Sequence, residues 1–172
     1  MELNSKNIVL VGPMGSGKTT VGRRLAMELN QYFFDTDYEI INKTGVSIDH
    51  IFDVEGEDGF RKRESEVLEN LCNMTNIVLA TGGGVVLLPQ NRIVLKSAGI
   101  VVYLSSSIEQ LLRRTAKSKT RPLLENSSDR KKTITDIVNA RDQYYRDVAT
   151  IVIDTSGKKL NEVINIIINN ID

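Results

Sequence analysis

At 172 residues the chain is long enough to bury one full hydrophobic core. Its 41% hydrophobic and 26% charged residues are those of an ordinary globule, not of a disordered or membrane-embedded chain. The 22 basic residues balance 22 acidic ones, which argues against a general nucleic-acid or membrane-surface binder.

A lone cysteine, Cys72, excludes an internal disulfide and fits a small core residue in a reducing compartment. Met1–Lys6 is too short and polar for a signal peptide, and no apolar run approaches membrane-spanning length. The expectation is one domain, 1–172, working as a monomer in the cytoplasm.

Asn7-Ile8-Val9-Leu10-Val11 is a short apolar run of the kind found in a buried parallel strand. It leads into Gly12-Pro13-Met14-Gly15-Ser16-Gly17-Lys18-Thr19, which reads G-x-x-x-x-G-K-T, the phosphate-binding loop pattern. From Thr20 to Asn30, Val21, Leu25, Ala26 and Leu29 fall at helical spacing. Strand, loop and helix in that order are the setting the motif requires; a Gly-rich turn that happens to precede a lysine is the bland alternative. In this setting the glycines let backbone N–H groups point at phosphate oxygens, and the helix adds its own N-terminal donors. Lys18 reaches the β- and γ-phosphates, and the Thr19 hydroxyl ligates Mg²⁺.

Gln31-Tyr32-Phe33-Phe34 is a second strand, and it delivers Asp35-Thr36-Asp37 at the sheet edge where ligands of parallel α/β proteins bind. Phosphate-loop enzymes need a strand-end Asp for the magnesium shell, and Asp35 takes that role by elimination. Asp37 either meets a substrate hydroxyl or caps the helix that starts near Tyr38. Short helices follow over 38–45 and 47–52, with Gly45 as the stop and Ser47 as an N-cap. His50, the only histidine, fits a surface helix position. A longer helix, 57–74, carries Arg61 and Glu64 three apart on one face: a solvated charged helix, or a buried arginine held ready for a carboxylate.

Ile77–Thr81 is another strand, and Gly82-Gly83-Gly84 after it exposes bare backbone to a ligand or serves as a hinge. A helix over 89–97, a buried strand over 100–104 and a helix from its Ser107 cap through Arg114 come next. Segment 116–128 is polar, with Lys117, Lys119, Arg121 and Pro122, and has the length of a functional lid whose charges neutralise transferring phosphate. A helix over 129–148, a last strand over 150–154 and an amphipathic helix over 160–171 close the chain.

Together these motifs resemble the shikimate kinase family, within the nucleoside-monophosphate-kinase-like group of phosphate-loop enzymes. The likeness runs from Asn7 to about Ile166 and is carried by 12–19, Asp35-Thr36-Asp37, Phe60-Arg61 with Glu64, Gly82-Gly83-Gly84, Arg121-Pro122-Leu123-Leu124 and Arg141. The resemblance implies a three-layer α/β/α fold with a five-stranded parallel sheet of order 2-3-1-4-5. It implies ATP-dependent phosphorylation of shikimate to shikimate 3-phosphate, a step of chorismate and aromatic amino-acid biosynthesis. Residues Gly15, Ser16, Gly17, Lys18, Thr19 and Thr20 would bind ATP, with Arg114 against adenine and Arg121 as the lid arginine; Thr19 and Asp35 would hold Mg²⁺. Asp37 would contact ring hydroxyls, Arg61 and Arg141 would clamp the carboxylate, and Gly83, between Gly82 and Gly84, would donate from its backbone. Phe52 and Phe60 would form an apolar wall. Lys18, Asp37 and Arg121 are the expected catalytic residues. Thr19 stands where many relatives have Ser, with the same hydroxyl, and 155–159 matches the family's adenine loop only loosely. Alternatives are gluconate kinase or another small-molecule or nucleotide kinase and, in a different class, a slowly hydrolysing nucleotide switch.

Overall fold

The computed structural model describes residues 6–116, 124 and 128–171. Five parallel strands, β1 (Asn7–Val11), β2 (Tyr32–Asp35), β3 (Ile77–Ala80), β4 (Gly99–Ser105) and β5 (Ile151–Asp154), stand in the order β2-β3-β1-β4-β5. Parallel neighbours cannot be joined by hairpins, so helices make the crossovers. They are α1 (Lys18–Leu29), α2 (Thr36–Thr44), α3 (Ile48–Cys72), α4 (Pro89–Ala98), α5 (Ile108–Thr115), α6 (Arg130–Val148) and α7 (Leu160–Ile171).

The sheet is buried on both faces, which is why its inner strands read as continuous apolar runs. Successive side chains alternate between the faces. Val9, Val11, Leu79, Val101 and Tyr103 meet Ile40 of α2, Phe60 and Leu68 of α3, Leu95 of α4, and Tyr145 and Val148 of α6. Ile8, Leu10, Val78, Val102 and Leu104 meet Val21 and Leu25 of α1 and Val163, Ile164 and Ile167 of α7. Leu10 is fully buried, so truncating it to alanine removes transfer energy and leaves a cavity, about 2–5 kcal/mol together.

Helix ends follow the local chemistry read from sequence. Ser47 Oγ accepts from His50 N at 3.2 Å, and Ser107 Oγ accepts from Gln110 N at 3.2 Å. The two helices expected over 47–52 and 57–74 run together as α3, with the break between them kept as a kink at Gly56, whose φ is 71°. His50 is exposed. Cys72 is half-buried against the core, and burial pushes its thiol up to about 12, so it stays protonated and unreactive at neutral pH. No helix of the described residues is long and apolar enough to cross a membrane.

Strand order reverses beside β1: the chain goes from β1 to β2 on one side, then from β3 across β1 to β4 on the other. Such a switch point opens a crevice at the carboxyl ends of the strands. The loops after β1, β2 and β3 all empty into it.

Candidate active site

The phosphate loop turns from Val11 into α1 within six residues. Gly15 (φ 77°) and Gly17 (φ 93°) adopt left-handed backbone that a side chain would strain, and Gly17 is the N-cap of α1. The first turn of α1 therefore presents its N–H groups and positive dipole end to the crevice. Lys18 is 8% exposed, and its Nζ donates to the carbonyls of Gly12 at 2.7 Å and Pro13 at 2.8 Å. Two backbone carbonyls of the loop thus hold the ammonium in place.

Asp35 does two things at once. Its Oδ2 accepts from the Thr19 hydroxyl at 2.7 Å, and its Oδ1 accepts from the N–H groups of Asp37 at 2.9 Å and Tyr38 at 3.4 Å. Asp35, not Asp37, is thus the N-cap of α2, and the capping reading of Asp37 falls. Asp37 sits in the first turn of α2 and lines the crevice. A hydroxyl and a carboxylate, the hard oxygen donors that suit Mg²⁺, therefore stand side by side at Thr19 and Asp35. Among the described residues no group of three or more His, Cys, Asp or Glu is placed to hold a metal, so a bound Mg²⁺ would take its remaining ligands from phosphate and water.

A cleft of about 480 Å³ runs along the switch point. Gly15, Ser16, Gly17, Lys18, Thr19 and Thr20 form its floor; Asp35, Asp37, Thr81, Gly82 and Gly83 form one end. Arg114, Thr155, Lys158, Leu160 and Val163 form the other. Arg114 donates to Gly15 O at 3.1 Å, and burial, then the charge of Arg113, pulls its pKa below the ordinary guanidinium value. The loosely matching segment 155–159 thus does reach the cleft, through Thr155 and Lys158. Arg121 lies outside the described residues, as does most of segment 116–128; Leu124, from its middle, is buried beside Leu111 of α5 and Ile134 of α6.

Arg61, Glu64, Gly84, Arg141, Phe52 and Phe60 lie beyond the Asp37–Gly83 end and are not part of the cleft wall. Arg61 is 8% exposed and Glu64 is 0% exposed, so the buried pair replaces the solvated charged helix. Arg61 Nη1 donates to Glu64 Oε1 at 2.8 Å, and Nη2 donates to the half-exposed Glu57 at 3.2 Å. Burial pushes the Glu64 carboxyl above the usual carboxylate range; Arg61 opposes this and Asp37 adds to it. Glu64 Oε2 has no hydrogen-bond partner among the described residues.

These charges explain the three glycines. A Cβ on Gly82 would stand 2.5 Å from Glu64 Oε2 and 3.3 Å from Asp37 Oδ1, and one on Gly84 would collide with the Arg61 guanidinium. The turn is bare because charged side chains pack onto it. At Gly83, Arg141 Nη1 lies 3.6 Å from where a Cβ would be. Arg141 is 6% exposed, so two buried guanidiniums, from α3 and α6, flank one glycine turn. The Phe52 and Phe60 rings sit 4.9 Å apart, and the Arg61 guanidinium lies 5.1 Å from the Phe60 centroid. Phe60 is 5% exposed and packs into the core as well; Phe52 is the more open of the two.

One residue was missed from sequence. Tyr145 is fully buried, and its Oη donates to Gly83 O at 2.5 Å. Its signal was available: it lies one helical turn after Arg141, on the same face.

The family model described as shikimate kinase matches residues 14–172. A shikimate kinase from Thioalkalivibrio sulfidiphilus is 48% identical over 160 residues, covering 93% of this chain and 84% of that protein. One from Nitrosospira multiformis is 53% identical over 153 residues, covering 89% and 77%. A solved shikimate kinase from Acinetobacter baumannii, in complex with shikimate, superposes with a TM-score of 0.94 at 46% identity, covering 96% of this chain and 92% of that one.

Proposed function

The chain belongs to the shikimate kinase family and phosphorylates shikimate with ATP and Mg²⁺, and we propose that Lys18, Asp37 and Arg121 carry the transfer to the 3-hydroxyl while Arg61 and Arg141 hold the acceptor's carboxylate. The observation that carries the residue assignment is the convergence of two buried guanidiniums from different helices on the Gly82–Gly84 turn, next to Asp37. Planar donors in that number suit a carboxylate. In the same reading the enzyme is a cytoplasmic monomer without a nucleic-acid or membrane partner; the even charge balance, 22 against 22, supports the last part.

Phosphoryl transfer asks little covalent chemistry of a protein, so positioning and charge neutralisation do most of the work. The N–H groups of Gly15 to Thr20 and the α1 terminus cradle the phosphates. Lys18 places its ammonium against the phosphoryl oxygens that gain charge. Thr19 and Asp35 would hold Mg²⁺, which when bound would supply positive charge to the phosphate oxygens. Arg114 and the Thr155–Lys158 end receive the adenosine, and Arg121 takes the charge-neutralising role that the family resemblance gives it. On the acceptor side, Gly83 donates its N–H, Phe52 and Phe60 cover the apolar part of the ring, and Asp37 orients the attacking hydroxyl and accepts its proton as the bond to phosphorus forms.

The test measures ADP release with shikimate, gluconate or a nucleoside monophosphate as acceptor, in the parent and in two variants. Shikimate is expected to be the good acceptor. Asp35→Asn shifts the magnesium dependence of turnover. Asp37→Asn depresses shikimate turnover by about 10²-fold, in the range of a lost general-base interaction, with Mg-ATP binding unchanged. Faster turnover with gluconate gives the site to a sugar acid instead, and loss of nucleotide binding alone in both variants refutes the role of Asp37.

A further inference from the structure

Tyr145 stands behind the acceptor end of the site, where no role follows from the phosphate loop or from the arginine pair alone. Its ring lies 4.9 Å from that of Tyr103, tilted by 33°, and Tyr103 Oη is itself anchored on Asp142 at 2.8 Å. Asp142 is held in turn by Arg146 at 2.8 Å. The Tyr145 ring is therefore braced from the outer side of α6, and its hydroxyl is aimed at the glycine turn, where it donates to Gly83 O at 2.5 Å. The Arg141 guanidinium stands beside the same turn, its Nη1 3.6 Å from where a Gly83 Cβ would be, and its charge pulls on the Tyr145 hydroxyl. Burial outweighs that attraction and pushes the phenol up to about 12, so the proton stays on it at working pH. A phenol has one proton to donate and lone pairs to accept with; here the proton goes to the glycine carbonyl, which leaves the lone pairs for a neighbouring donor.

We propose that Tyr145 is a positioning residue for the acceptor, its hydroxyl tying the Gly83 carbonyl to the Arg141 guanidinium so that the turn and the arginine are held in one geometry. This rests on the reading that Gly83 and Arg141 face the acceptor. A Gly-rich turn is soft, and a long arginine side chain has many rotamers. Without a tie, binding the acceptor has to order both; with it, that ordering is built into the folded protein and affinity is gained by preorganisation. The phosphate loop abuts the same turn, with Met14 N 3.3 Å and Gly12 O 3.6 Å from where a Gly83 Cβ would stand, but its own shape is set by Gly15, Gly17 and the Lys18 bonds to the Gly12 and Pro13 carbonyls, so the loss of the tie falls on the acceptor end.

Tyr145→Phe tests this, because it keeps the ring and its packing on Tyr103 and deletes only the hydroxyl. Calorimetry and steady-state kinetics are run with ATP and with shikimate on the same preparation, and ATP affinity doubles as the check that the variant is folded. KM and Kd for shikimate are expected to rise about tenfold, equivalent to about 1.4 kcal/mol, with ATP affinity in the absence of shikimate unchanged and kcat reduced less than KM rises. In an Arg141→Ala background the same substitution is expected to change shikimate affinity by less than about twofold, because one end of the tie is already gone. Three results overturn the proposal: shikimate KM unmoved by Tyr145→Phe, ATP and shikimate affinities falling together, or an equal effect in both backgrounds. A parent enzyme inert on shikimate removes the premise and the proposal with it; an active parent with an indifferent Tyr145→Phe sinks the proposal alone.

Discussion

Lys18→Ala is expected to lower kcat by roughly 10²–10³-fold, the cost of losing one preorganised charge at the point where transition-state charge develops. The fold survives it. Lys18 is buried by its own loop and belongs to none of the apolar clusters; its ammonium rests on the carbonyls of Gly12 and Pro13. Removing it strands two loop carbonyls but also removes a charge that folding had to desolvate, so the terms partly cancel. A net loss near 1 kcal/mol moves the melting temperature by about 2–4 °C for a chain of this size. Lys18→Arg is expected to fail as well, because a planar fork is larger than the compact ammonium the two carbonyls enclose at 2.7 and 2.8 Å. Turnover is measured beside a thermal melt and shikimate calorimetry. Near-parent turnover in a folded Lys18→Ala protein refutes the loop assignment, and a collapse of stability shows that the lysine is structural.

Much of this site was legible in the chain because its chemistry is local. The strand–loop–helix context of Lys18, the capping serines and the break at Gly56 all depend on neighbours a few residues away. Strand order does not: the continuous apolar run shows that β1 is buried on both faces but not that β3 and β4 flank it, and the 2-3-1-4-5 order came with the family resemblance. The glycine turn has a second reason that local sequence does not offer. Sequence pointed to exposed N–H groups, whereas Gly82 and Gly84 leave room for Glu64 and Arg61, residues about twenty positions earlier that only the fold brings there. Whether Asp37 caps α2 or lines the crevice is decided only in space, where Asp35 takes the cap as well. Tyr145 went unread because a tyrosine on a helix is usually core, and this one is both core and hydrogen-bonded to the site.

Arg61→Ala is expected to cut kcat/KM for shikimate by about 10²-fold or more, because each charge-assisted hydrogen bond to a carboxylate is worth about 1.5–3 kcal/mol. The methyl ester of shikimate, which has no negative charge to offer, is expected to be a far poorer acceptor for the parent enzyme and to lose much less on the substitution. The gap between acid and ester therefore narrows, and this reports recognition separately from damage. Damage is also expected, with a definite pH signature. Arg61 is the partner of Glu64, which is 0% exposed and whose carboxyl burial already pushes upward. Without Arg61 that pKa rises further. A group whose folded pKa lies above its unfolded value contributes stability at low pH that is lost as pH rises through the folded value. The difference in melting temperature between parent and Arg61→Ala should accordingly widen as pH is raised from about 5 to about 8, while in Arg61→Ala/Glu64→Gln, which cannot ionise there, it should not widen. Acid and ester are compared in this double variant, where the fold is not under electrostatic strain. If the ester reacts as well as the acid in the parent enzyme, no carboxylate clamp exists. If the gap persists undiminished without Arg61, Arg141 alone reads the charge, and Arg61 serves only to fill the space Gly84 leaves for it.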